Sequence, residues 1–473
     1  MIHAGGGRSA QETVAWSAVR LEPFPELADV RPIDAAEALR DLPGLALLET
    51  ARPGRRARWT YLTADPVAAL EQPSAGRDPF AEARRLVARL APDSPPDAEG
   101  DAPPFLGGLV GYLAYDLGHA LERLPTIAAD DQGLPLLRLA LHDWVLAWDR
   151  RTGAAWIGGR AVDGDAATLD RRIAAIVDRL RQPVSAAAPS EPAALTFTSS
   201  LSRGAYLAGV ESVRASIAHG DIYQANLTRR LAAPFDAEPW PLYRRLRTGD
   251  PSLYAAYLDL GGRRAILSAS PEPFLAVDQN GHVTTDPIKG TRPRGRTREQ
   301  DRELACELLA SDKDRAENVM IVDVLRNDLG RVCAPGTVRV PRLCRLERTA
   351  AVQHLVSTVT GRLARDKDAF DLLAASFPGG SITGAPKIRA MELLEELEPV
   401  RRGPYTGALG WFGPDGAMAS SILIRTFVAD GSRLSLHVGG GITYRSDPAA
   451  EWDETVAKAR GPLSAIGGVE APS

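Results

Sequence analysis

"SSILIRTFVADGSRLSLHVGGGITY", residues 420–444, carries the pattern on which the fold turns. Leu423, Arg425 and Phe427 alternate with Ile422, Ile424 and Thr426; Asp430-Gly431 supplies a turn, and the alternation resumes through Leu434, Leu436 and Val438. A period of two on both sides of an Asp-Gly pair predicts a β-hairpin. Arg425 falls within the apolar arm "SILIRTFV", where a charge is poorly tolerated unless it meets an acid. Its guanidinium can grip a carboxylate through two parallel hydrogen bonds, and an internal salt bridge satisfies that need as well as a ligand does. Gly439, Gly440 and Gly441 close the second arm. Missing side chains there let a ligand approach the backbone, although a bulge or turn is the commoner use of such glycines.

Helices are predicted around this hairpin. "SITGAPKIRAMELLEELEP", residues 381–399, puts Pro386 near a first turn and spaces Ala390, Leu393, Leu394 and Leu397 along one face, directly after a Gly-containing loop whose free N–H groups could hold an anion. "GAYLAGVESVRASIAHG", residues 204–220, repeats Val210, Val213 and Ile217 at helical spacing and stops at Gly220, before a strand in "DIYQANLTRRL". The Pro-, Ala- and Ser-rich stretch 181–197 predicts a linker or long surface crossing, dividing an N-terminal segment (10–182) of mixed α and β structure from a C-terminal segment (197–470). No repeat of about 20 to 50 residues is evident.

The totals bound the function. The 473 residues are 44% hydrophobic and 25% charged with a formal net charge of -4, the mixture of a soluble globular chain with no global pull toward nucleic acid or anionic membrane. Any anion site must be local. Three cysteines without a CxxC pair, no run of about 18 apolar residues and no secretory leader in "MIHAGGGRSAQETVAW" predict a reduced, cytoplasmic protein.

Four acids stand out. Asp314 and Glu317 in "SDKDRAENVMIVDVLRNDLG", and Glu451 and Glu454 in "DPAAEWDETVAKA", are each three residues apart and would share a helix face. Clustered carboxylates repel unless a cation sits between them, and hard oxygen ligands suit Mg²⁺. From spacing alone, two solvated helix faces are the commoner outcome.

Lys289 in "DPIKGTRPRG", residues 286–295, sits where a buried strand runs into a turn. Neutralising a lysine at pH 7 costs roughly 4.6 kcal/mol from its reference pKa, so a nucleophilic lysine needs a desolvated or cationic setting, and Arg292 and Arg294 lie close by. Otherwise it belongs to a basic run facing solvent or phosphate. Glu272 in "SASPEPFL" precedes it by one hairpin-like excursion, which predicts neighbouring strands and an acid beside an amine. A helix cap or salt bridge would use the same glutamate.

Taken together, "GDIYQANL", "SPEPF", "PIKGTRPRG", "DKDRAENVMIVDVLRNDLGRV", "GGSITGAPKIRAMELLEELEP", "GPYTGALGW" and "GGGITYRSDPAAEWDET" resemble the chorismate-utilising enzymes over about residues 197 to 465. Those are the component I chains of anthranilate and aminodeoxychorismate synthases and the isochorismate and salicylate synthases. The resemblance implies an α/β fold of two large, mostly antiparallel sheets packed face to face with helices outside. It implies Mg²⁺ at Glu317 and Glu454 with Asp314 and Glu451 in support, contacts to chorismate from Gly290, Thr291, Tyr405, Arg425 and Gly439 to Gly441, and Glu272 as acid. Gln224 stands where water-using relatives hold a lysine, which implies a reaction with ammonia and a glutaminase subunit as partner; Lys289 stands where anthranilate synthases hold alanine, which points to the aminodeoxychorismate branch and a covalent Lys289 intermediate. Anthranilate synthesis and a non-catalytic paralogue are the rivals. Thr50 and Leu253 depart from the serine and proline usual near the relatives' tryptophan site, and Asn318 from a frequent histidine.

Overall fold

The computed structural model describes residues 18–51, 58–76, 78–92, 102–182, 194–349 and 352–472. The hairpin forms between Thr426–Asp430 and Arg433–Ile442, with Phe427 opposite Leu436 and Ala429 opposite Leu434. Its turn is closed by Asp430, whose Oδ1 accepts from the N–H groups of Ser432 (2.9 Å) and Arg433 (2.8 Å), while Gly431 takes φ 98°.

The upstream arm is not one strand. Met418–Ile422 belongs to a second sheet, residues 423–425 are irregular, and the chain crosses from one sheet to the other there. Arg425 therefore lies outside both strands, at φ 50°, with its side chain exposed. The alternation survives because the two halves feed different apolar layers: Ile422 packs into one core, Leu423 into the next and Phe427 into a third. A period of two cannot distinguish one strand from two placed end to end in different sheets.

Among the described residues the two sheets have 13 and 10 strands. Named strand pairs are antiparallel except Gly468–Glu470 with Leu195–Ser199. Both halves of the sequence enter both sheets: Ala46–Glu49 pairs with Tyr254–Gly261 in the larger, and Gly108–Leu113 with Ala408–Phe412 in the smaller. Residues 10–17 of the N-terminal segment and 183–193 of the expected linker lie outside the described residues.

Strand periodicity sets the layers. Ile266 turns to the apolar layer between the sheets with Tyr61, Val110, Leu409 and Trp411, whereas Ala265 and Leu267 turn to the opposite face. That outer face is covered by helices that include Trp240–Gly249 and Pro448–Ile466, and the outer face of the smaller sheet by Asp312–Gly330 and Ala369–Ser376. Among the described residues no helix is long and apolar enough to cross a membrane, and Cys306, Cys333 and Cys344 are free.

Candidate active site

Lys289 reaches the site through a bulge. Ile288–Pro293 pairs with Val352–Arg362, but Lys289 is opposite Leu355 and Thr291 opposite His354, which leaves Gly290 as the extra residue at φ 80°. A Cβ at Gly290 would lie 2.9 Å from Asp314 Cβ, so the bulge seats directly on the Asp312–Gly330 helix. Asn318 on that helix braces the partner strand, donating from Nδ2 to Leu355 O at 3.3 Å.

Glu272 does not lie on a neighbouring strand as the sequence suggests. His282–Thr285 and Val352–Arg362 stand between the strand that follows Glu272 and the one that carries Lys289. The two side chains nevertheless face one cleft of about 550 Å³. Lys289 Nζ donates to Ser381 O at 3.0 Å, and Ser381 Oγ donates to Glu272 Oε1 at 3.2 Å. Burial pushes the lysine pKa below its ordinary value against the pull of Glu272 and Glu317. Burial likewise pushes the Glu272 carboxyl up, opposed by Lys289 and the Ser381 hydroxyl.

The helix acids converge on the same cleft. Ser311 caps Asp312–Gly330 by accepting from Asp314 N at 3.3 Å, and Asp447 caps Pro448–Ile466 by accepting from Ala450 N at 2.9 Å. These starts present Asp314, Glu317, Glu451 and Glu454 to the cleft wall. Burial raises the pKa of Glu317 and Glu451. It acts to raise Glu454 too, but Lys458 Nζ, 2.7 Å from Glu454 Oε1, overrides it and the carboxyl falls below its usual value. As the side chains stand, no three described Asp, Glu, His or Cys groups converge closely enough to hold a metal ion. The donor set still fits one: Glu317 Oε1 is buried without a hydrogen-bond partner, Lys313 Nζ being 3.9 Å away, and a Cβ at Gly440 would come within 2.9 Å of Glu451 Oε2.

The remaining predicted residues are spread between the walls and the rim. Gly290, Thr291, Tyr405, Arg425, Gly439 and Gly441 line the cleft, while Gly440 faces the acid-bearing helix. Close strand packing by itself requires Gly439, where a Cβ would sit 2.5 Å from Leu227 O, whereas at Gly441 a Cβ would meet only the end of the Gln224 side chain, 2.3 Å from Nε2. Arg425 approaches Asp250 Oδ1 only to 3.8 Å and is 47% exposed, leaving its guanidinium available at the rim. Tyr405 stacks on His437 with centroids 5.0 Å apart. Beneath them Arg402 grips Glu398 at 2.7 and 2.8 Å and donates to Asn226 O and Ile382 O, fixing the cleft floor.

Sequence reasoning missed Ser381, His437, Asn226 and the two lysines. Lys313 and Lys458 were legible as i,i+4 partners of Glu317 and Glu454. Ser381 lay within the Gly-rich loop before the 387–397 helix, but it lines the cleft upstream of the helix start. Gln224 is buried beside Gly441 with Oε1 unpartnered. Thr50 and Leu253 border a second, smaller cavity of about 210 Å³ with Trp59, Tyr61 and Trp411.

The family model described as chorismate binding enzyme matches residues 46–464. The chain belongs to the chorismate binding enzymes. It is 41% identical to anthranilate synthase component 1 of Thermus thermophilus over 96% of this chain and 99% of that protein. It is 44% identical to aminodeoxychorismate synthase component 1 of Salmonella typhimurium over 75% and 76%. Among solved structures, anthranilate synthase component I from Streptococcus pneumoniae superposes with a TM-score of 0.76 at 31% identity, covering 87% of this chain and 93% of that one. The cleft of this chorismate binding enzyme carries carboxylates and a lysine-acid pair on its walls.

Proposed function

We propose that this chorismate-utilising enzyme is component I of an aminodeoxychorismate synthase, replacing the C4 hydroxyl of chorismate with an amino group. The observation that carries the reading is the Lys289 amine, held in the cleft by the neutral Ser381 carbonyl across from the buried acid Glu272. Desolvation favours the uncharged amine, and the same burial favours a protonated Glu272. The neutral amine attacks C2 of chorismate; both ring double bonds shift by one position, carrying the electron pair to C4, and the C4 hydroxyl departs as water with the proton of Glu272. Ammonia then adds at C4 and passes a proton to the Glu272 carboxylate, both double bonds return, and the C2–N bond breaks with Lys289 leaving as a neutral amine, releasing 4-amino-4-deoxychorismate for p-aminobenzoate and folate synthesis.

Glu317 and Glu454, with Asp314 and Glu451 beside them, would hold Mg²⁺, which when bound supplies charge neutralisation for a substrate carboxylate. Arg425 at the rim and the buried Tyr405 further in would grip and orient the second carboxylate. Ammonia comes from solution or from a separate glutaminase subunit, a heterodimer in keeping with the "component 1" names of the relatives.

A second reading, anthranilate synthase component I, is favoured by relatives of that name that match over more than nine-tenths of the chain. Product identification from chorismate, ammonium and Mg²⁺ separates the two, because anthranilate is fluorescent and forms with loss of pyruvate. Under turnover with chorismate but no ammonia, intact-mass analysis is expected to show a covalent adduct that Lys289→Ala lacks. An unmodified Lys289 and anthranilate as sole product would sink the proposal.

A further inference from the structure

We infer that Ser381 is a positioning residue that holds the two reacting groups in register, its carbonyl orienting the Lys289 amine and its hydroxyl orienting the Glu272 carboxyl. The inference rests on Lys289 and Glu272 being the reacting pair. Ser381 is 8% exposed and lies in the short helical turn Gly380–Ile382, in a loop that reaches the cleft from outside both the strand that carries Lys289 and the strand that follows Glu272.

Its two ends do different work. A carbonyl oxygen can only accept, so Lys289 Nζ commits one N–H to the wall at 3.0 Å. That bond keeps the lone pair of a neutral amine off the wall. On the other side the hydroxyl donates to Glu272 Oε1 at 3.2 Å, which leaves the acidic proton to Oε2. As Glu272 loses that proton the bond to Ser381 becomes charge-assisted and shortens, so the hydroxyl favours the proton-transfer product over the resting acid.

The loop is anchored from behind. Ile382 O accepts from Arg402 Nη1 at 3.0 Å, Thr383 Oγ1 donates to Gly379 O at 3.0 Å, and Asn226 N donates to Thr383 O at 2.8 Å. Ser381 is thus held by the same buried Arg402–Glu398 pair that supports Tyr405's end of the cleft.

Ser381→Ala removes the hydroxyl and keeps the carbonyl, so the two arms can be told apart. Chorismate consumption, followed by its ultraviolet absorbance so that the readout is independent of which product forms, is expected to show kcat down about tenfold with KM within about twofold, as befits loss of one hydrogen bond to a developing charge. The limb of the pH profile that reports Glu272 moves to higher pH, and Ser381→Thr restores both. A second readout needs no turnover: acetylation of Lys289 by a small anhydride, read by peptide mass. The charged groups acting on Lys289 are Glu272, Glu317, Glu454 and Lys458. With Glu272 more fully protonated in Ser381→Ala, the amine loses one of its stabilising anions, and labelling near neutral pH rises a few-fold. Unchanged Lys289 labelling in a folded Ser381→Ala variant overturns the inference whatever the fate of the amination reading. A changed labelling rate in a protein that leaves chorismate intact upholds the coupling and removes the function proposed above.

Discussion

Gly290→Ala tests the geometry that aims Lys289. The residue sits at φ 80°, where an alanine costs on the order of 1–2 kcal/mol. Its new Cβ would stand 2.9 Å from Asp314 Cβ, 3.0 Å from Leu308 Cδ1 and 3.1 Å from Asp314 Cγ. Leu308 can rotate, but Asp314 Cβ is fixed to the helix backbone, so overpacking adds roughly 1–3 kcal/mol. The total, about 2–5 kcal/mol, can be relieved by moving the helix or by ironing out the bulge. Removing the bulge shifts the register by one residue and turns Lys289 to the other face of the sheet. Thermal unfolding is expected to fall by several degrees, chorismate turnover by more than about a hundredfold, and acetylation of Lys289 to approach that of surface lysines. A Gly290→Ala protein with wild-type Tm, turnover and labelling would refute the claim that this bulge places the amine.

Two further outcomes follow from the site. The rate requires a neutral Lys289 and a protonated Glu272; the first is pushed below its ordinary value of about 10.4 and the second above about 4.3. kcat/KM is therefore expected to trace a bell whose two limbs both fall inside the interval from about 4.3 to about 10.4, which a single limb centred near 10.4 would contradict. Glu317→Gln keeps the side chain's size and removes the charge from a buried, unpartnered oxygen. It is expected to weaken Mg²⁺ binding at least about tenfold by calorimetry, and unaltered affinity would move the metal elsewhere.

Much of the local structure was readable. Asp430-Gly431 closed the hairpin where its φ and hydrogen-bonding needs dictate, Gly220 ended the Arg203–His219 helix at φ 91°, and three-residue spacing put each acid pair on one helix face. The crossing at 423–425 was not readable, because its alternation matches that of a continuous strand. Glu272 beside Lys289 was reached for the wrong reason: sequence proximity suggested adjacent strands, whereas two strands separate them and the cleft, not the ladder, brings them together.

The sequence by itself determined what depends on neighbours a few residues apart: turns, caps, helix faces, and the presence of a lysine and acids too costly to bury idly. Only the tertiary structure decided that Ser381, 109 positions from Glu272 and 92 from Lys289, joins the two, and that Arg425 stands half-exposed at the rim, 3.8 Å from Asp250. The reason is physical. Short-range backbone sterics and periodicity are written in consecutive residues, whereas burial, desolvation and hydrogen bonding across a cleft depend on atoms that the chain delivers from distant segments, and no local pattern encodes which of them will meet.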